Sequence, residues 1–141
     1  NPLPGSYAAW VETSFPPGSH LDLAVSGMAG DPDGDGRSNF NEFALNTTPV
    51  VADVPVMNFA WSMDASLRRP ALAFERPVGI TGVRYELQSS TSLAAGDWET
   101  VATTPAEITT VGDVEHCVFR DEVNDDSAPT RFLRLRIYGA P

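Results

Sequence analysis

The apolar positions of this chain change period near residue 50. Before it they fall at helical spacing. Tyr7, Trp10, Val11 and Ser14/Phe15 line one stripe, behind a Ser6 suited to cap the helix start. Pro16-Pro17-Gly18 ends that helix, and Trp10 is expected to pack it onto the rest. Leu21, Leu23, Ala24 and Val25 predict a further helical turn, broken by Gly27 and Gly30. Phe40, Phe43 and Ala44 share one face of another short helix, stopped by Asn46-Thr47-Thr48-Pro49. From about Val54 the period becomes two. Met57, Phe59, Trp61 and Met63 alternate with smaller or polar residues; Leu72 and Phe74 alternate within 70–76; Val83, Tyr85 and Leu87 alternate with Arg84, Glu86 and Gln88. Trp98 with Val101, Ile108 with Val111, then 114–120 and 132–138 complete the set. Pro77-Val78-Gly79, Ala95-Gly96-Asp97, Val111-Gly112-Asp113 and residues 121–129 supply the turns between them.

Six or seven short strands so punctuated predict an antiparallel β-sandwich. The fold class is therefore α+β, mostly β: a short helical region followed by the sandwich. The expected division is a linker over 1–5, a helical subdomain over 6–50 and the β-sandwich over 51–141, packed together as one module. In the last strand, Leu133, Leu135 and Ile137 point one way and Phe132, Arg134, Arg136 and Tyr138 the other, so the second set forms a solvent face. Arg84, Glu86 and Gln88 form a similar polar face. If the two strands are neighbours, Glu86 is expected to pair with Arg134 or Arg136.

The stretch Asp31-Pro32-Asp33-Gly34-Asp35-Gly36-Arg37-Ser38-Asn39-Phe40-Asn41-Glu42 interrupts the helical half. It carries the spacing of an EF-hand calcium loop. Such a loop draws oxygens from its first, third, fifth, seventh, ninth and twelfth residues and turns sharply at a glycine in the sixth place. Here those ligands are Asp31, Asp33, Asp35, the Arg37 carbonyl, Asn39 and Glu42, and the glycine is Gly36. An acidic surface turn would share the Asp-Pro-Asp-Gly-Asp-Gly run, but it has no need of Asn39 and Glu42 at those offsets. No long helix enters the loop and no second loop pairs with it. The expected cofactor is a structural Ca2+, held in a static clasp rather than a sensor.

Charge narrows the partners. Nineteen acidic residues against nine basic ones give a formal net charge of −10. Nucleic acid and anionic membrane surfaces are thereby disfavoured, and no segment reads as a membrane span or a signal peptide. Every basic residue is Arg. The single Cys117 has no internal partner for a disulfide. A modular calcium site suits extracellular calcium levels, and Asn1-Pro2-Leu3-Pro4-Gly5 reads as an interdomain linker, so a piece of a larger secreted protein is expected.

Residues 31–42 and their exit helix resemble the calcium half-motifs of dockerins and thrombospondin type 3 repeats. The wider layout adds Tyr85-Glu86-Leu87-Gln88-Ser89-Ser90-Thr91-Ser92-Leu93, then Trp98, and ends on Arg131-Phe132-Leu133-Arg134-Leu135. It is similar to C-terminal accessory domains of large secreted proteins from environmental bacteria, many of them polysaccharide-degrading enzymes. That resemblance implies a non-catalytic accessory role, glycan binding or surface sorting, beside a catalytic domain in the same chain, at an extracellular or cell-surface location. Two departures stand out. Arg37 replaces the usual apolar residue, which is expected to leave the metal untouched because only its carbonyl coordinates. Dockerins carry two loops where this chain has one.

Other chemistry is sparse. His116 and Cys117 are adjacent in a predicted strand, so their side chains diverge and form no dyad. His20 is isolated. Gly-x-Ser-x-Gly, His-Glu-x-x-His and phosphate-loop patterns do not occur, and the chain is not expected to be an enzyme. Asp121-Glu122-Val123-Asn124-Asp125-Asp126 is a second acidic cluster; a solvated turn and a second calcium site both fit it. Glycan binding calls for an aromatic ring to stack on a sugar, with polar groups for its hydroxyls. The candidates are Trp61, Trp98 and Tyr138, with Arg134 and Arg136 suited to an acidic or sulfated glycan. The expected function is polysaccharide or cell-surface glycan binding. The alternative is a sorting, anchoring or spacer domain without a soluble ligand.

Overall fold

A computed structural model describes residues 2–16, 18, 22–52, 57–122 and 131–139. The predicted positions of Pro17, His20 and Leu21, the strand start near Val54 and the acidic run from Val123 onward lie outside these residues.

The helical half contains α1 (Tyr7–Ser14), α2 (Leu23–Ser26) and α3 (Asn39–Ala44). Each has a side-chain cap of the type its sequence calls for. Ser6 accepts from the amide of Ala9, Asp22 from Ala24 and Ser38 from Asn41. Such short helices hold only through packing. Trp10 lies against Phe15 and Phe43, with ring centroids 5.8 and 5.6 Å away, and Tyr7 sits edge-on to Phe43 at 5.5 Å. The Tyr7 hydroxyl donates to the Ser26 carbonyl at 2.8 Å and brings α2 into the same cluster. Asn46 ends α3 with a φ of 57°.

Seven strands follow: β1 (Asn58–Asp64), β2 (Leu67–Pro77), β3 (Val83–Ser90), β4 (Glu99–Ala102), β5 (Glu107–Val111), β6 (Val114–Arg120) and β7 (Phe132–Gly139). They form two antiparallel sheets, one in the order β1-β2-β6-β5 and one in the order β4-β3-β7. The expected period-two segments all become strands. The β5–β6 hairpin turns on Gly112 and Asp113, with Gly112 at a φ of 63° as its tight turn requires.

Leu72 and Phe74 of β2 and Cys117 and Phe119 of β6 face Tyr85 and Leu87 of β3 across the sandwich. Phe119 and Leu87 are fully buried, and burial of such a side chain stabilises by about 2–3 kcal/mol. Ala44 and Leu45 enter the same core from the end of α3. The two halves are therefore stitched together: the Tyr85 hydroxyl donates to the Ala44 carbonyl at 2.6 Å in a buried setting. The segment read as a linker also touches the sandwich, because the Thr81 amide donates to the Gly5 carbonyl at 2.9 Å.

Candidate functional site

The acidic loop between α2 and α3 folds on its own carboxylates. The two oxygens of Asp31 accept from the amides of Gly34 (3.1 Å) and Gly36 (3.0 Å). Asp33 accepts from Asp35, and Asp35 from Arg37 at 2.8 Å. Gly34 and Gly36 take φ values of 71° and 88°, a region open to glycine and strained for other residues. The consequence is that one oxygen from each of Asp31, Asp33 and Asp35 lies within 4.8 Å of the others. Two oxygens bound to one calcium at about 2.4 Å can be no more than about 4.8 Å apart, so this cluster fits on a single coordination sphere.

Three further observations concern what the cluster is made for. Asn39 and Glu42 are fully buried. The Asn39 amide donates to the carbonyls of Val25 (2.6 Å) and Gly27 (2.9 Å), which fixes the flip of the side chain and leaves its Oδ1 buried without a partner. Asp33 Oδ2 and Glu42 Oε1 are likewise buried and unpartnered. Orphaned buried oxygens are rare and costly, and three in one loop of metal-ligand spacing are donors that could hold a hard cation. Electrostatics agree. Burial, with Asp35 and Asp33 adding repulsion against the opposing pull of Arg37, pushes the Glu42 carboxyl up to about 8. Burial and the neighbouring Asp31 and Asp35 also raise Asp33. A divalent cation would relieve both penalties. The fitting residues are Asp31, Asp33, Asp35, Asn39 and Glu42, with the Arg37 carbonyl at the remaining position.

Arg37 does more than the sequence reading allowed. Its Nη1 lies 3.5 Å from Glu42 Oε2 and donates to Thr47 Oγ1 at 3.3 Å. The side chain therefore engages a candidate ligand. Sequence spacing placed Arg37 in the loop but did not reveal how its side chain folds back.

The glycan candidates divide. Trp98, Arg134, Arg136 and Tyr138 come together on the outer face of the three-stranded sheet, while Trp61 lies on β1 in the other sheet. On the shared face Arg134 covers the Trp98 ring at 4.2 Å, and its Nε donates to Gln88 Oε1 at 2.8 Å. Gln88 reaches Thr100 at 3.3 Å, and the Thr100 hydroxyl points to Glu86 Oε2 at 3.4 Å. The Tyr138 hydroxyl donates to Glu86 Oε1 at 2.9 Å. Arg136 and Arg84 flank the Tyr138 ring at 4.8 and 5.7 Å. The expected pairing of Glu86 with Arg134 or Arg136 is thus replaced. Arg136 stands opposite Glu86 in register, but hydroxyl donors occupy the carboxylate, and both arginines stack on aromatic rings instead. Among the described residues Arg84 and Arg136 form no ion pair. Three guanidinium groups and one carboxylate make this face cationic on an acidic protein.

The Ser-Ser-Thr-Ser run is a turn clasp. The hydroxyls of Ser90, Thr91 and Ser92 all donate to Asp97 Oδ2, at 3.1, 3.2 and 2.7 Å. These bonds, Ser92 foremost, hold the Asp97 carboxyl below the usual range and set Trp98 at the head of β4. Asp121, from the second acidic cluster, is buried and accepts two hydrogen bonds from Arg131, at 3.0 and 2.8 Å. The same guanidinium donates to Ser89 at 2.7 Å. Asp121 is thus an ion-pair anchor between the sheets; the cluster from Val123 onward lies outside the described residues. Cys117 is buried, while His116 is exposed on the opposite face with its Nδ1 3.3 Å from Glu75, beside a shallow concavity of about 310 Å³. Among the described residues no helix is long and apolar enough to cross a membrane.

Comparison with family models, with curated protein sequences and with solved structures returns no match.

Proposed function

We propose that this chain is a non-catalytic accessory module of a secreted, multidomain protein, stabilised by one Ca2+ and binding an acidic polysaccharide. The calcium reading rests on the orphaned oxygens of Asp33, Asn39 and Glu42 around the Asp31–Asp33–Asp35 cluster. The metal is structural in this reading: it closes the loop onto α3, whose end enters the sandwich core. The glycan reading rests on one juxtaposition, Arg84 and Arg136 at the Tyr138 ring and Arg134 at the Trp98 ring on one sheet face. Guanidinium groups without carboxylate partners suit uronate or sulfate groups, and the aromatic edges suit sugar rings. A neighbouring domain in the same polypeptide would carry any catalysis. The divergence of His116 and Cys117 supports the non-catalytic reading.

A second reading, a sorting, anchoring or spacer domain, draws on the same contacts. Arginine already covers the Trp98 and Tyr138 rings, so no bare aromatic platform stands on this face. Affinity electrophoresis through pectic, sulfated and neutral polysaccharides, with and without calcium, separates the two. Retardation by acidic polymers alone, lost in Arg136→Ala, supports glycan binding. Equal mobility in every gel favours the spacer.

A further inference from the structure

The four-stranded sheet is wider than the sheet packed on it. β7 runs closest to β2, and β4 closest to β6, in the facing sheet. β1 therefore lies beyond the edge of β7. Register puts Phe59 opposite Leu72, Trp61 opposite Pro70 and Met63 opposite Arg68. Paired residues share a face, and Leu72 is in the core, so Phe59, Trp61 and Met63 belong to the inner face. They are nonetheless 58, 47 and 58% exposed. Phe59 and Trp61 pack edge to face at 5.1 Å, and the Arg68 guanidinium lies over the Trp61 ring at 4.1 Å; no strand covers this apolar shelf among the described residues.

Above that shelf stands the outer edge of β7. Among the described residues its ladder pairs with β3 alone, and the inward-facing Leu133, Leu135 and Ile137 are only half-buried. A row of backbone donors and acceptors left open among the described residues, beside an apolar shelf that only the Arg68 side chain caps, has the shape of a missing fourth strand. The backbone edge selects an extended polypeptide over a small molecule. A second copy pairing β7 with β7 is disfavoured, because it sets Arg134 and Arg136 close to their own counterparts. On the outward side of the same edge Arg136 has no carboxylate among the described residues, so acidic side chains complement it.

We propose that the β7 edge and the Phe59–Trp61–Met63 shelf accept an extended strand from another polypeptide, with alternating apolar and acidic residues, and so complete the sandwich. Its apolar side chains pack on Phe59, Met63 and the Arg68-capped Trp61 ring, and its acidic ones lie beside Arg134 and Arg136. The strand needs about the eight residues of β7.

The test uses a blocked octapeptide of alternating valine and glutamate, with a valine–lysine octapeptide as control, read by amide hydrogen exchange and Trp fluorescence. The acidic peptide is expected to slow exchange along β7 at least tenfold and shift Trp emission to the blue; the basic peptide does neither. Trp61→Gln, at an exposed position, should weaken the effect about tenfold and leave polysaccharide retardation as it was. Arg136→Glu should transfer the preference to the basic peptide. Three results overturn the proposal: β7 unprotected at millimolar peptide, equal protection by both peptides, or β7 protection in free protein that sediments as a dimer. A blank in the polysaccharide gels bears on none of these.

Discussion

The hydroxyl of Tyr85, in the middle of the sandwich, donates at 2.6 Å to the carbonyl of Ala44, the last residue of α3. Two residues upstream of Ala44 on that helix stands Glu42, the last of the candidate metal ligands. A single buried hydrogen bond thus couples the loop's exit helix to the β core. Tyr85 also stacks on Phe74 at 5.4 Å, so its ring is already fixed without the hydroxyl.

Tyr85→Phe keeps that stacking and leaves the Ala44 carbonyl buried without its donor. The expected loss is about 1–3 kcal/mol, or several degrees in Tm. Urea unfolding of both proteins measures it, with unchanged m-values if packing is preserved.

Glu42 gives metal-free protein a distinctive pH response. Its folded carboxyl lies at about 8 against an ordinary 4.5. The folded state therefore holds a proton that the unfolded state has lost. This contribution is fully present below about pH 4.5 and disappears as pH rises through about 8. Asp33 shifts in the same direction. Metal-free protein should lose stability between pH 5 and pH 8, and Glu42→Gln should flatten that slope. Urea midpoints across this range check the sign. In calcium the slope should vanish or reverse, because the metal needs the ionised carboxylate.

Arg37 competes with the metal for Glu42. A cation some 6 Å from a divalent ion opposes it by roughly 5 kcal/mol before screening, at an effective dielectric near 20. Screening and retreat of the guanidinium leave about 1 kcal/mol. Arg37→Leu should accordingly bind calcium about fivefold more tightly by isothermal titration, while its metal-free form is less stable than the parent.

Much of this arrangement is legible in the residues. Ser6 and the Asn46 stop mark helix ends because capping chemistry is local. Leu133, Leu135 and Ile137 separate from Arg134 and Arg136 because a strand alternates. Loop spacing brings Asp31 through Glu42 forward as candidate ligands because ligand geometry is carried within a dozen residues. What escaped depends on partners distant in sequence. Nothing local tells that Arg131 joins Asp121 to Ser89, or that Glu86 bonds hydroxyls while its neighbouring arginines turn to rings. Trp61 is the clearest case. Its alternation with Phe59 and Met63 marks the inner face of the sheet, yet all three are exposed because the facing sheet is one strand narrower.

A thermal melt of chelator-stripped protein with and without millimolar calcium tests the calcium clasp most directly. A Kd at the tight end of the extracellular range, near 10⁻⁴ M, predicts stabilisation of about 1–2 kcal/mol and a Tm several degrees higher. Asp31→Ala and Glu42→Ala should each remove that rise, and magnesium should not reproduce it. Superimposable melts with and without calcium, from protein shown to be metal-free and folded, would contradict the clasp.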